Sequence, residues 1–480
     1  MGGLFFISAV FHFCLTPVSC FPIVAQIFIS LSVQMVRRVS HFHSDHGEDE
    51  CAYGCRNGVR LGNAGVLIER SHHHFKILNL MISELDTSRI AIIGPGRLGT
   101  SFAYKFGRDH KRVTIYYHDA DVCREINRER LNPRHLTQDL ARKLGGMDHV
   151  PLLPPSVSAT NNLERVVEDH DLILLCLTMP RLPEFLNYLK PLLEKKAGDT
   201  CLITPIKGLT ADEITKGLIT PSQLIKGHLS SIRQKYHLAC IGGPFFDVDI
   251  ALGNPVCVTV AGKKKISALF REELIRYNRR ELSVYYNFDI VGVEACGALK
   301  NIVANIKGLT DSLALGDSIP GTIFARSGVE IRSLSRLLGG SFQAFHSQAG
   351  VGDMYVTVSS EASKNYRYGK LYYELLTGNP IETNLKVLER IDGTPEGPNT
   401  IRNVHQFLEK MNMYSPLFHC AYKIFNEGNT RNDIREMIIQ ACQFDRRTRE
   451  FIGPFSRFFY YFFPNLWYRR HKGLLSSMEI

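Results

Sequence analysis

The chain has no long block of Lys or Arg, although these outnumber Asp and Glu by 57 to 47 and the net charge is +10. Dispersed basic charge lacks the concentrated footprint of a nucleic-acid binder and suits small anionic ligands such as phosphates. The 12 cysteines form no disulfide framework. Cys176, Cys201, Cys240 and Cys257 sit inside apolar, strand-like runs, where reduced buried thiols are the simple reading. Residues 1–36 lack Asp, Glu, Lys and Arg altogether. The remainder is ordinary: 480 residues at 44% apolar and 22% charged are enough for about two to four domains and one large core.

The uncharged run is long enough to cross a bilayer. Arg37 and Arg38 follow it at once, which would leave the rest of the chain cytosolic. Pro17, Pro22 and His12 weaken a single spanning helix. Three other readings stay open. One is a secretory signal ending near Val18-Ser19-Cys20, against which the lack of a positive n-region counts. Another is the front part of an organelle-targeting leader, and the last is a translation start at Met35 or Met81. Residues 39–75 are polar and carry His41, His43, His46, Cys51, Cys55, His72, His73 and His74. Their spacing matches no zinc pattern, so no metal is expected. Residues 1–88 are read as an apolar leader and a disordered linker.

The stretch that organises the rest is VGVEACGALKNIVAN, residues 291–305. Val293, Gly297, Lys300 and Ala304 fall at i, i+4, i+7 and i+11 and share one helix face. Gly297 keeps that face thin, so another group can approach. Lys300 is its one cation. Among Val, Ala, Leu and Ile it loses water, and its pKa should drop toward neutrality, as a proton-transfer lysine requires. A snorkelling surface lysine is the alternative.

Ahead of this helix lies an α/β pattern. An apolar strand at 90–93 runs into Gly94-Pro95-Gly96-Arg97-Leu98-Gly99 and then an amphipathic stretch. Strand, Gly-x-Gly-x-x-Gly and helix form the dinucleotide fingerprint, with phosphates at the helix N-terminus. A second strand, 112–117, leads to Asp119, 20 residues beyond Gly99. An acid there bonds ribose hydroxyls, or simply caps a helix. NAD is favoured, with NADP left open. Further strands are expected at 171–177, 201–204, 238–241, 256–261 and 282–288, giving a mainly parallel sheet, whereas 131–160 reads as irregular. Lys207 lies just past a strand's carboxyl end, where open α/β sheets bind ligands. A solvated loop lysine is its alternative.

Beyond residue 291 the period is helical, with short apolar segments at 312–325 and 333–338. Asp353 stands near a glycine-rich helix entry, where it caps the helix or orients a lysine. Residues 363–369, SKNYRYG, make a compact basic segment suited to a phosphate, or a solvated turn.

From 89 to 432 these motifs resemble NAD-dependent glycerol-3-phosphate dehydrogenase. The specific parts are Gly292-Val293-Glu294 through Gly297-Ala298-Leu299-Lys300-Asn301, Gly352-Asp353 with Thr357, and Lys364-Asn365 with Gly369. Glu396-Gly397-Pro398 and Pro416-Leu417-Phe418 complete the set. The resemblance implies a Rossmann-type, mainly parallel sheet domain at 89–290, followed by an all-helical catalytic domain at 291–450. It implies Lys300 as the acid that protonates the ketone of dihydroxyacetone phosphate as hydride arrives. Lys207 would lie beside it and Asp353 would balance it. Asn301 and Thr357 would bond substrate oxygens, Asn365 would reach substrate phosphate or cofactor, and Glu396 would lie near the cofactor phosphates. The family's usual Arg-Asn is here Lys364-Asn365, and lysine cannot form arginine's bidentate fork; Arg367 is the candidate to compensate. The usual Gly-Pro-Ser-Phe turn is Gly243-Pro244-Phe245-Phe246, and Asp249 stands for the usual glutamate.

Residues 451–468 hold ten aromatic residues, including Trp467, the only tryptophan. Arg469, Arg470, His471 and Lys472 follow. Such a tail suits a membrane interface or a partner groove, or packs on the body or a second subunit. The ending Met478-Glu479-Ile480 is no recognised peroxisomal signal. The expectation is a homodimeric oxidoreductase with a small phosphorylated substrate and a cytoplasmic catalytic body. Its leader targets a membrane or organelle, and membrane contact runs through 4–36 or 451–472. The rivals are a related reductase of another oxoacid and a membrane-tethered NAD-binding sensor without turnover.

Overall fold

The computed structural model describes residues 85–109, 111–211, 217–263, 280–341, 343–391 and 393–443. The leader, the histidines at 41–46 and 72–74 and the aromatic tail lie outside the described residues. Among the described residues, no helix is long and apolar enough to cross a membrane.

The first half alternates strands and helices. In chain order come β1 (Arg89–Ile93), α1 (Arg97–Arg108), β2 (Arg112–Tyr116), α2 (Ala120–Glu129), α3 (Thr137–Leu144), β3 (Val157–Thr160) and α4 (Leu163–Asp169). They continue with β4 (Leu172–Leu175), α5 (Leu182–Lys195), β5 (Thr200–Thr204), β6 (Thr210–Ala211), β7 (Leu218–Ile219) and α6 (Pro221–His228). The last are β8 (Tyr236–Gly242), α7 (Asp247–Leu252), β9 (Val256–Gly262) and β10 (Leu282–Asn287). Eight strands form one sheet in the order β10-β9-β8-β5-β4-β1-β2-β3, and β6 pairs with β7 in a separate two-stranded ladder. Every pairing in the sheet is parallel except β8 with β9. The central strands are continuous apolar runs because helices cover both faces. Phe102, Ile126 and Ile250 pack on one face and Leu186, Leu189 and Ile225 on the other. Because β1 lies between β2 and β4, the chain reverses direction across the sheet there. A crevice opens beyond the carboxyl ends of such strands.

The second half is helical: α8 (Ile290–Ser312), α9 (Ser318–Leu337), α10 (Asp353–Ser359), α11 (Lys364–Glu374), α12 (Pro380–Arg390), α13 (Gly397–Met411), α14 (Pro416–Asn426) and α15 (Arg431–Cys442). The organising stretch is α8, which is buried almost throughout from Gly292 to Thr310. It crosses α11 at a glycine contact. A Cβ on Gly308 or Gly369 would collide with the carbonyl of Tyr366 or Asn305, so the backbones approach closely.

Two expectations need correction and one element was not anticipated. Residues 131–160 are not irregular: they hold α3 and the edge strand β3. The two short segments at 312–325 and 333–338 are largely one helix, α9. The β6–β7 ladder gave no sequence signal that we recognised.

The sheet and α8 are joined by a buried carboxylate. Glu294 on α8 accepts from Ser222 N at 3.0 and 3.1 Å and from Ser222 Oγ at 2.6 Å, on the first turn of α6. Burial raises its pKa from the ordinary 4.5 to about 7, against the pull of these hydrogen bonds. The folded state therefore holds more protons than the unfolded one between those values, and stability falls as pH rises through that window. The penalty reaches about 3 kcal/mol as an upper bound. Glu294→Gln keeps an acceptor and removes the titration. Its melting temperature relative to wild type should rise from pH 5 to pH 8. A constant difference across that range would refute the assignment.

Candidate active site

The glycine turn has the geometry its sequence requires. Gly94 has φ +93°, and a Cβ there would lie 2.6 Å from the Cys176 carbonyl. Among the described residues nothing lies within 4 Å of a Cβ on Gly96, which leaves the backbone open on the side a pyrophosphate approaches. Pro95 and Leu98 complete the turn, and α1 starts at Arg97 with no side-chain cap at Gly96 among the described residues; a helix N-terminus of this kind is where phosphates bind. These features fit a dinucleotide. Asn132, which was not singled out in the sequence, fastens the turn: its Nδ2 donates to Pro95 O and Thr100 Oγ1, each at 2.8 Å. The Asn132-Pro133 dipeptide is its only sequence signal. Arg97 pairs with Asp139 and with Asp247, the latter at 2.5 Å.

Of the two readings offered for Asp119, the helix cap is present. Its Oδ1 caps α2, accepting from Asp121 N at 3.0 Å and Val122 N at 3.3 Å. Its Oδ2 meets Arg134 Nη2 at 2.6 Å, and the Arg134 guanidinium lies 5.8 Å from the Tyr117 ring centroid.

Lys300 is 5% exposed, which excludes the snorkelling alternative. Its Nζ donates to Thr357 Oγ1 at 2.6 Å and to the Asp353 carboxylate by a shorter contact. Thr357 Oγ1 in turn donates to Asp353 O at 2.6 Å. Asp353, 1% exposed, does not cap α10, the first of the two readings offered for it. It bridges two lysines, because Lys207 Nζ reaches its Oδ2 at 3.1 Å. A π-turn over Gln348–Gly352 swings it into place. Burial lowers the Lys300 pKa to about 7; Asp353 opposes that shift and Lys207 adds to it. Lys207 lies across the thin face at Gly297, where a Cβ would be 3.5 Å from its Cγ. It also sits 4.6 Å above the Phe245 ring, the residue that replaces the family's serine. Phe245 makes an edge contact with Phe102 of α1 at 6.3 Å. A continuous path of contacts thus runs from the helix of the glycine turn to Lys300.

A further group borders these lysines. Asn301 Nδ2 donates to Glu396 Oε2 at 3.2 Å. Burial raises the Glu396 pKa to about 7, against the attraction of Lys207, Lys300 and Lys364. Asn365 holds the chain rather than facing a ligand with its oxygen: Oδ1 accepts from Gly397 N at 2.9 Å. Asn305, behind Asn301, donates through its amide to the carbonyls of Asn301 and Asn365 at 3.1 and 3.0 Å. Lys364 is partly buried, with burial and then Arg97 lowering its pKa. No hydrogen bond or ion pair among the described residues fixes its Nζ. Arg367 Nη1 donates to the Glu361 carbonyl at 3.0 Å. Asp249 points away to Lys143 at 3.1 Å. Lys207, Lys300, Lys364 and Arg97 therefore border one region with Asp353, Glu396, Asp139 and Asp247, and Lys364 is the cation there whose ammonium stays open to an anionic ligand.

Comparison with known proteins agrees with this geometry. The model described as NAD-dependent glycerol-3-phosphate dehydrogenase N-terminus matches residues 89–268, and the model for the C-terminus of the same enzyme matches 289–436. The chain is 28% identical over 353 residues to glycerol-3-phosphate dehydrogenase [NAD(P)+] of Bacillus pumilus (strain SAFR-032), covering 73% of this chain and 94% of the relative. It is 30% identical over 351 residues to the enzyme of that name from Bacillus cereus (strain AH187), covering 72% and 94%. The crystal structure of glycerol-3-phosphate dehydrogenase from Coxiella burnetii superposes with a TM-score of 0.62 at 25% identity, over 74% of this chain and 99% of that one.

Proposed function

The chain belongs to the NAD-dependent glycerol-3-phosphate dehydrogenase family, NAD(P)-dependent oxidoreductases acting on a CH–OH group, and from that premise we propose that it reversibly reduces dihydroxyacetone phosphate to sn-glycerol 3-phosphate with Lys300 as general acid and base. The observation that carries this reading is the Lys300 ammonium, buried on the central helix, brought near neutrality and aimed by Asp353 and Thr357.

NADH, when bound, supplies the hydride. Gly94, Pro95, Gly96, Arg97, Leu98 and Gly99 would hold its pyrophosphate at the α1 N-terminus. Asp119 would bond the adenosine ribose, and Glu396 would border the cofactor phosphates. Arg134, paired with Asp119, is the group that would meet a 2′-phosphate, so NADP stays an alternative to NAD. Lys300 Nζ gives its proton to the substrate oxygen as that oxygen gains charge, and takes it back in the oxidation direction. Lys207 adds positive charge beside it, which favours the developing oxyanion. Asn301 bonds a substrate oxygen while Thr357 fixes the Lys300 rotamer. Lys364 meets the substrate phosphate, with Arg367 in support and Asn365 positioning the Glu396 loop. In this scheme residues 89–290 bind the nucleotide and 291–450 supply the catalytic groups. In sequence, residues 1–88 precede these and 451–480 follow them. The family resemblance also supports a homodimer in the cytoplasm.

The test is a panel of dihydroxyacetone phosphate and small oxoacids, each with NADH and NADPH. Oxidation of cofactor with the phosphorylated ketone alone supports the proposal. Turnover of an oxoacid instead would replace the substrate, and cofactor binding without turnover would favour the sensor. Lys364→Met should raise KM for the phosphorylated ketone by about 10- to 100-fold, the worth of one charge-assisted hydrogen bond. Lys364→Arg should restore much of it. A KM unchanged in Lys364→Met would remove this residue from the phosphate site.

A further inference from the structure

Outside the site just described, one group of side chains has no role in the reaction. His405 and Glu409 stand at i and i+4 on one face of α13, and His419 faces them from α14. One donor atom from each lies within 4.8 Å of the others. We propose that His405, Glu409 and His419 form a binding site for a zinc-class divalent transition metal that clips α13 to α14.

Three observations support it. First, the donor set is two imidazoles and one carboxylate, which suits zinc, cobalt or nickel better than the oxygen-seeking magnesium or calcium. Three protein ligands leave a fourth position open to water. Second, the His419 ring is fixed at Nδ1, which lies 3.0 Å from the Ser415 carbonyl and 3.1 Å from the Ser415 N–H, so its Nε2 is aimed at Glu409 Oε1, 3.3 Å away. That spacing fits two ligands of one tetrahedral zinc, each about 2 Å from the ion. A proton on Nδ1, given to the Ser415 carbonyl, is the ligating tautomer; a bond from the Ser415 N–H to Nδ1 selects the other. Third, His405 Nδ1 is sealed from solvent with no hydrogen-bond partner among the described residues, and the ring is held by stacking on Tyr422 at 3.5 Å between centroids. The competing arrangement places the proton on His419 Nε2 and makes an ordinary His–Glu hydrogen bond.

The site lies nine residues along α13 from Glu396, roughly 13 Å at the helical rise. A metal there would brace the helix that carries the Glu396 loop without entering the reaction.

The full chain, stripped with a chelator and dialysed, should be titrated with ZnCl2 by calorimetry and with CoCl2 by visible absorption. One zinc per chain should bind and raise the melting temperature, and cobalt should give d–d bands of a nitrogen- and oxygen-ligated ion without sulfur charge transfer. Glu409→Gln changes an exposed side chain and should weaken zinc by at least about tenfold, since even an outer-shell partner is worth that much. His405→Phe keeps the stack on Tyr422 and should remove the stabilisation. Circular dichroism and NADH oxidation check that both variants remain folded. Zinc affinity and melting shift equal to wild type in both variants would overturn the proposal, as would a failure of the wild type to bind. Either result would leave a His–Glu hydrogen bond as the explanation, and neither bears on the dehydrogenase reading.

Discussion

Replacement of Lys300 by methionine is expected to lower kcat/KM for ketone reduction by about 10³-fold or more, within the range that one positioned proton donor supplies. NADH binding should change little. Methionine fills the lysine's volume and leaves Asp353 paired with Lys207 at 3.1 Å, so a folding failure is not expected. Lys300→Arg separates charge from proton transfer: a guanidinium keeps the cation but does not deprotonate near neutral pH. If Lys300 acts only electrostatically, arginine retains much of the activity; if it donates the proton, arginine is nearly as poor as methionine. The pH profile supplies a second check. Burial brings Lys300 to about 7. Reduction needs the protonated amine, so kcat/KM for the ketone should fall as pH rises through that value. Oxidation of glycerol 3-phosphate needs the free amine and should rise over the same interval. Profiles of the same sign in both directions would end the acid–base assignment.

What the sequence disclosed was set by how local each feature is. The glycine turn is six adjacent residues, and its strand and helix follow directly from the apolar pattern on either side. The buried face of α8 shows in its spacing alone. The partners of Lys300 do not, because Asp353 is 53 positions away and reaches back to Lys207 across 146. An acid at a helix start looks like a cap until the π-turn before it is seen. Asn132 was hidden for the same reason: its hydrogen bond to Pro95 spans 37 positions. Strand β3 escaped because its four residues, VSAT, are largely polar or small and lie at the sheet edge. Helix α9 looked like two pieces because Gly328 interrupts its apolar pattern. That glycine is a packing requirement, since a Cβ would lie 2.8 Å from the Phe345 ring.

Asp353→Asn should be the most informative variant for the site as a whole, because one carboxylate serves two ammonium groups. Its removal leaves Lys300 and Lys207 facing each other in a buried setting, and breaking a buried ion pair from one side costs about 3–5 kcal/mol. The cost should depend on pH in a definite direction. Asp353 now opposes the burial that depresses Lys300, so without it the folded-state pKa falls below 7 while the unfolded value stays near 10.5. The folded state then binds fewer protons than the unfolded state between those limits, and stability rises with pH through the window. The variant should melt furthest below wild type near pH 6 and recover part of the difference by pH 9. Catalysis should respond through the same shift: kcat for ketone reduction drops by about 10²-fold, and the pH at which it begins to fall moves to lower values. A purely structural aspartate predicts otherwise, with lost stability but no displacement of the pH profile in the folded fraction. That outcome would leave Lys300 governed by its apolar neighbours alone, with Asp353 reduced to a staple between α8 and the β5 loop.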